Sequence, residues 1–160
     1  MPRVVLYQPQ IPPNTGNVAR TCAATATELH LVEPLGFEIS DRTLKRAGLD
    51  YWPWVSLHRH ADWEAFQEHR QRLGGRLLAL SRHASVNYLS CDFRHDDWLL
   101  FGRETDGLPS SILDQCDQRL AIPMPCASDR PEGGVRSLNL SVSVGIVLFE
   151  SLRQIGEISP

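Results

Sequence analysis

The residues with the clearest chemical potential in this 160-residue chain follow its first apolar run. That run, RVVLY, leads into IPPNTGNVAR, in which Asn14, Asn17 and Arg20 recur every third residue. Amide side chains donate and accept hydrogen bonds, and arginine presents a planar fork that suits phosphate and hydroxyl groups. A turn that only connects two elements rarely carries this much chemistry, so these side chains are candidate ligands of a polar substrate. A Pro-rich turn with an asparagine helix cap is the simpler alternative.

Two later stretches have similar features. FGRETDGLP follows an apolar run and places Glu104 between Gly102 and Gly107. Glycines let a ligand approach the backbone closely, and a carboxylate there can receive a ribose hydroxyl or face a cationic group. LAIPM follows the next apolar run, and the hydroxyls and amide of SLNLS, residues 137–141, come after it. The two stretches predict ligand-binding loops at strand ends, although a Gly-Leu-Pro turn can also be only a turn.

The sequence lacks the glycine motifs of several large classes of α/β enzyme. No GxGxxG follows the first apolar run, and no GxxxxGK[ST] occurs anywhere in the chain. The chain is therefore not expected to be a dinucleotide-dependent dehydrogenase, a P-loop NTPase or an ordinary glycine-loop methyltransferase.

Cysteine and histidine spacing gives no sign of a metal site. The four cysteines form no CxxC pair, and His58-Arg59-His60 is the only local histidine cluster. We therefore expect no bound metal and no disulfide framework.

The net charge of −3 argues against a protein that coats nucleic acid by bulk charge. Fifteen of the 16 cationic residues are nonetheless arginines. They indicate either local phosphate-binding patches or a compositional bias, and composition does not decide between the two.

Neither a signal peptide nor a membrane-spanning segment is indicated. The N-terminal MPRVVLYQPQ lacks a basic region followed by a long apolar run, and the apolar stretch 144–149 is too short to cross a bilayer. We expect a cytoplasmic protein without a membrane partner.

Short apolar runs alternate with helical patterns along the chain, which predicts a single α/β domain with a mainly parallel sheet. Strands are expected at residues 4–7, 29–32, 54–57, 77–80, 98–101 and 119–122. Helices are expected at residues 17–26, 41–47 and 62–73, and residues 126–135 are typical of a loop.

The C-terminal segment fits two patterns. Residues 138–144 alternate apolar and polar side chains as a strand does, whereas the apolar residues from Leu140 to Ile155 also follow helical spacing. We favour the helix because one pattern then explains the segment to its end.

Taken together and in this order, the motifs resemble those of the SPOUT class of RNA methyltransferases, within it the small TrmL-like enzymes that methylate the ribose of the tRNA wobble nucleotide. The resemblance covers nearly the whole chain, and its most specific elements are NTGN-xx-R, FG-x-ET-x-GLP and S-x-N-L-S. It implies one domain over residues 1–160, with a deep trefoil knot and the cofactor loops within about residues 77–155.

The resemblance also implies an activity and a site. The activity is S-adenosylmethionine-dependent 2′-O-methylation of cytidine or uridine 34, with the anticodon stem-loop of leucine tRNAs as substrate and without a metal. It implies a homodimer that pairs through its first and last helices, with the active site between subunits. Motif by motif, it assigns catalytic roles to Arg20, Asn14 and Asn139, and cofactor binding to Leu80, Gly102, Glu104, Ile122 and Ser137. The alternatives are methylation of another tRNA or rRNA nucleotide, and an RNA-binding protein that has lost catalysis.

Overall fold

The computed structural model describes residues 1–39, 51–125 and 135–158. Its centre is a seven-stranded sheet in which every pairing is parallel, with the order β3-β2-β1-β6-β4-β7-β5. The strands are β1 (Arg3–Tyr7), β2 (Leu29–Val32), β3 (Leu57–His60), β4 (Leu77–Leu80), β5 (Val86–Asn87), β6 (Trp98–Phe101) and β7 (Gln118–Ala121). The predicted α/β class with a parallel sheet is confirmed.

The described helices cover both faces of this sheet. They are α1 (Pro12–Ala24), α2 (Trp63–Leu73), α3 (Ser110–Leu113) and α4 (Leu140–Gln154), with short 3-10 turns at Trp52–Trp54 and Tyr88–Ser90. One buried cluster joins α1 and α4 to alternate strand residues such as Val4, Leu99 and Leu120. A second buried cluster joins α2 and α3 to strand residues on the opposite face of the sheet, such as Val5 and Trp98. The result is a three-layer arrangement in which the sheet is buried on both faces.

Helix α1 begins five residues earlier than the sequence pattern indicated, at Pro12 instead of Asn17. Proline is tolerated at the first helical positions because the backbone N–H groups there lack intrahelical partners. Ile11 at the N-cap provides no side-chain cap. The NTGN stretch is thus part of a helix, and the expectation of a Pro-rich turn with an asparagine cap is wrong.

Other boundaries differ less. The prediction of a strand at residues 54–57 is wrong, because Trp54 ends a 3-10 turn and β3 runs over Leu57–His60 instead. The strand expected at 119–122 is shifted by one residue, and the short elements β5 and α3 were not predicted. The expected helix at 41–47 and nearly all of the expected loop at 126–135 lie outside the described residues.

Helix α2 follows the sequence signals closely. The Asp62 carboxylate accepts a hydrogen bond from the Ala65 N–H at 2.8 Å, and the helix ends at Gly74 with φ of 73°. Both are expected of an Asp N-cap and a glycine with a left-handed backbone.

The C-terminal segment is helical, as the longer pattern predicted. Val144, Val147, Leu148 and Leu152 of α4 are at most 1% exposed and pack on the sheet within the same chain. This stripe is therefore covered without a partner. No helix in the described ranges is long and apolar enough to cross a membrane.

Candidate active site

A cavity of about 410 Å³ lies where β4, β6 and β7 end. Carboxyl ends of parallel strands are where open α/β sheets bind ligands, and this volume is in the usual range for small-molecule sites. The loops after the three strands form its walls, and the residues that lead into α4 close it. The apolar lining includes Leu80, Ile122 and Leu140, and the polar lining includes Glu104 and Asn139.

A chain of hydrogen bonds, which we call the amide relay, joins the three motifs at this cavity. Asn14 Nδ2 donates to Glu104 Oε1 at 3.3 Å, and Asn139 Nδ2 donates to Asn14 Oδ1 at 2.9 Å. Asn139 Oδ1 accepts from the backbone N–H and the hydroxyl of Ser141, at 2.9 and 2.7 Å. These contacts orient both amides and leave each with unused hydrogen-bonding capacity, so the pair can also bind a ligand.

The Glu104 carboxylate holds the backbone that leads into α1. It accepts from the backbone N–H groups of Gln10 and Ile11, at 2.8 and 3.1 Å. A carboxylate at a helix N-terminus also interacts favourably with the helix dipole. Glu104 therefore fixes the start of α1 against the loop after β6, which is a positioning role. Receipt of a cofactor hydroxyl by Glu104 stays a prediction.

The loop after β6 is closed on itself. Arg103 and Gly107 exchange two backbone hydrogen bonds, of 3.2 and 3.0 Å. A Cβ added to Gly102 would lie 2.3 Å from the carbonyl carbon of Gly107 and 2.5 Å from the Leu108 nitrogen. The close approach of two backbone segments thus requires glycine at position 102.

The Arg103 side chain holds the outer part of this loop. Its Nε and Nη2 each donate to the Asp106 carboxylate at 2.7 Å, and its Nη1 donates to Gln8 Oε1 at 2.9 Å. The guanidinium also keeps the pKa of Asp106 below its usual range. Arg103 was not among the predicted site residues, because only the tertiary structure shows that it ties the loop to the end of β1.

Arg20 is the one predicted site residue that does not line this cavity. It lies exposed two turns along α1, with its guanidinium 5.4 Å from the centre of the Tyr51 ring. The Tyr51 hydroxyl donates to the Gly16 carbonyl at 2.7 Å, which anchors the ring beside the helix. Arg20 is thus held by a cation–π contact outside the lining of its own chain's cavity.

The structure brings the other predicted residues together. The cavity is lined by Asn14, Leu80, Gly102, Glu104, Ile122, Ser137 and Asn139. It is also lined by Arg82, His83 and Arg136, which the sequence motifs did not single out. The positive charge of Arg82 and Arg136 suits an anionic substrate such as RNA.

Known proteins resemble this chain over nearly its full length. A protein of Synechocystis sp., whose name assigns it provisionally as a tRNA (cytidine(34)-2′-O)-methyltransferase, is 56% identical over 155 residues, 97% of each chain. A solved structure described as giving insight into 2-OH methylation of C/U34 on tRNA superimposes with a TM-score of 0.88 at 48% identity, covering 99% of this chain and 98% of that one.

A more distant structure contains a cofactor. The AdoMet-bound rRNA methyltransferase from Sinorhizobium meliloti has a TM-score of 0.82 at 28% identity and covers 99% of this chain and 57% of that one. The SpoU rRNA Methylase family matches residues 1–149. By this match, by its relatives and by its fold, the chain belongs to the SpoU family, which confirms the resemblance to SPOUT RNA methyltransferases.

Proposed function

We propose that this protein uses S-adenosylmethionine to methylate the 2′-hydroxyl of the ribose of nucleotide 34, cytidine or uridine, in tRNA, with leucine tRNAs as its substrates. The observation that carries the proposal is the amide relay, which joins residues of three separate motifs at one cavity. The chain is also 48% identical to the protein in a solved structure described as giving insight into C/U34 methylation. The anticodon stem-loop is the part of the tRNA that would enter the site, and the cytoplasm is where the enzyme would meet it.

The cavity fits the cofactor. The apolar wall of the cavity, which includes Leu80 and Ile122, suits the adenine ring. The close backbone approach at Gly102 leaves main-chain groups of the loop available for hydrogen bonds to the edge of that ring. Ser137 and the amide relay suit the polar methionine end. S-adenosylmethionine would supply an already electrophilic methyl group on sulfur, so the transfer needs no metal in this cavity. The chain's own contribution is to orient the ribose hydroxyl in line with that methyl group.

Arg20 serves in this proposal as a clamp on the phosphate and ribose of the target nucleotide. Guanidinium is too weak an acid to exchange protons readily at neutral pH, so a neighbouring group or water accepts the hydroxyl proton. Asn14 and Asn139, fixed by the amide relay, hold the hydroxyl.

A homodimer would bring Arg20, which does not line its own cavity, to the cavity of the partner chain. The buried stripe of α4 is already covered, but its outer face carries a second apolar row. Val142 and Phe149 are 49% and 46% exposed, and Gly145 and Ile146 lie between them. A twofold axis near this row would pair α4 and the outer face of α1 with their copies. Arg20 of one subunit would then reach the cavity of the other.

We also propose that the segment over residues 77–155 forms the deep trefoil knot of the SPOUT class. It is supported by the convergence of the loops after β4, β6 and β7 with residues 135–139 on a single cavity. An experimentally determined chain trace through this segment would test it directly, and an unthreaded path would refute it.

The activity is tested by mass-spectrometric mapping of ribose methylation in tRNA from cells with and without the protein. Loss of the methyl group at nucleotide 34 is expected, and unchanged methylation there would refute the proposal. With purified protein, Arg20→Ala should lower methyl transfer about a hundredfold or more while cofactor affinity stays near wild type. Arg20→Lys should restore little, because an ammonium group lacks the planar fork.

Sharing of the site between subunits is tested by refolding Arg20→Ala and Gly102→Val chains together in equal amounts. Random pairing of the two variants then makes half of the dimers mixed, with one chain of each variant. If Arg20 acts across the interface, each mixed dimer has one intact site and the mixture shows about a quarter of wild-type activity. If Arg20 acts within its own chain, no site is intact and the mixture is inactive. The two unmixed variants are the controls.

A further inference from the structure

A second group of chemically capable side chains lies far from the cavity, on the opposite edge of the sheet. Four of the six histidines of the chain, His30, His58, His60 and His69, meet where α2 covers β2 and β3. None of them lines the cavity. Sequence spacing could not reveal the cluster, because only the strand register and the helix bring these residues together.

The register explains the arrangement. His30 on β2 pairs with His58 on β3, and His60 points to the same face two residues later. Helix α2 packs on this face through Phe66, and His69 follows one turn later. The His30 ring is stacked on that of His58 with centroids 4.5 Å apart and lies 5.5 Å from that of His69.

The imidazole nitrogens converge as metal ligands do. One ring nitrogen from each of His30, His58 and His69 lies within 4.8 Å of the others. A tetrahedral zinc ion with bonds of 2.0–2.1 Å separates its ligand atoms by about 3.3 Å. Metal binding therefore requires the partly exposed His58 and His69 rings to turn, with His58 leaving its stack on His30. His30 and His60, in contrast, are 0% and 7% exposed and are held by packing.

The surroundings of His30 match those of a metal-ligating histidine. Its Nδ1 lies 3.0 Å from His60 Nε2, and in the tautomer with the proton on His30 Nδ1 that nitrogen donates to His60 and Nε2 is the nitrogen that can bind a metal ion. Metal-bound histidines usually donate their other N–H to such a fixed acceptor. Glu28 Oε2, which accepts from Arg3 Nε at 2.9 Å, lies 3.5 Å from His30 Nε2 and is a neighbouring carboxylate of the site.

Charged side chains lie beside the cluster. Arg3 Nε pairs with Glu28 Oε2 at 2.9 Å, and the Glu28 carboxylate offsets part of the positive charge that would oppose an added cation.

We propose that His30, His58 and His69 form a site for a divalent transition metal ion, best suited to Zn²⁺, that ties β2, β3 and α2 together, with water in the fourth position. Three imidazoles and one water are a donor set that zinc accepts in tetrahedral geometry. The site is separate from the cavity, so its metal takes no part in methyl transfer.

The test uses the full-length protein without an affinity tag, stripped with a chelator and then titrated with Zn²⁺ or Co²⁺. We expect one metal ion per chain, a Co²⁺ absorption spectrum of tetrahedral type, and a rise in Tm of about 5–10 °C at a hundredfold excess over Kd. A stripped wild-type protein that binds only substoichiometric metal, with no change in Tm, would overturn the proposal whatever the variants do.

Variants locate the site. His69→Gln, at a partly exposed helix position that should tolerate the change, is expected to weaken Zn²⁺ binding a hundredfold or more and to abolish the tetrahedral spectrum. The matched control is His95→Gln, whose side chain is 62% exposed and contacts Glu157 away from the cluster. Equal Zn²⁺ affinity in wild type and His69→Gln, or equal loss in His95→Gln, would refute the assignment.

Discussion

Replacement of Gly102 by alanine tests the cofactor loop most directly. The added Cβ would lie 2.3 Å from the carbonyl carbon of Gly107, whereas ordinary carbon–carbon contacts are about 3.5 Å or longer. The loop after β6 must therefore open by about 1 Å. That displacement strains the two backbone hydrogen bonds between Arg103 and Gly107, each of which stabilises the loop by about 1 kcal/mol.

The opening costs about 2 kcal/mol in total, and because the loop forms a wall of the cavity the cost falls on cofactor binding and on folding together. Titration calorimetry should show S-adenosylmethionine binding weakened by up to about 30-fold, the factor for the whole 2 kcal/mol, and Tm should fall by a few degrees at most. The comparison variant is Gly145→Ala in α4, where an added Cβ meets nothing within 4 Å in its own chain. Position 145 does not line the cavity, so alanine there should leave S-adenosylmethionine affinity at the wild-type value. Wild-type affinity and wild-type Tm in Gly102→Ala would refute the argument.

Three further substitutions test the packing of the molecule. Thr15 carries a buried hydroxyl without a hydrogen-bond partner in the described structure, so Thr15→Val should leave the free energy of unfolding unchanged or raise it by up to about 1 kcal/mol in chemical denaturation. Asp97 is fully buried and accepts from Arg76 Nε and Nη2 at 2.9 and 2.8 Å. Asp97→Asn should therefore lower the free energy of unfolding by about 3 kcal/mol and Tm by about 10 °C, and an unchanged melting curve would contradict this prediction. Phe149→Asp should give monomers in sedimentation velocity with an unchanged circular dichroism spectrum, whereas Leu73→Asp, equally exposed on α2, should leave the dimer intact.

The sequence predicted best where one local pattern spans a whole element. Helix α4 was identified because its apolar positions keep helical spacing over fifteen residues, and α2 because Asp62 and Gly74 mark its two ends. The same reasoning failed at α1, where the backbone that leads into the helix is held by Glu104, more than ninety residues away along the chain. A boundary that depends on a distant side chain leaves no local signal.

For the site as well, local motifs could be predicted from the sequence and long-range contacts could not. Gly102, Ile122 and Asn139 were identified from motifs, and each lines the cavity. The hydrogen bond from Asn139 to Asn14 was beyond sequence reasoning, because residues 125 apart meet only through the tertiary fold. The histidine cluster was missed for the same reason, since spacing rules detect metal ligands only when they are close in sequence.

The amide relay has a consequence for when the protein becomes functional during synthesis. Asn14 leaves the ribosome early, but its partner Asn139 precedes the last helix, α4, whose buried face completes the core. The N-terminal part of a nascent chain starts to fold first, yet here it has no finished binding site to fold around. A chain that stops before Asn139 lacks both the relay and the cover that α4 gives the sheet, which exposes apolar surface to proteases. Under the proposed function, cofactor binding would stabilise only the native state and would selectively protect chains that were completed.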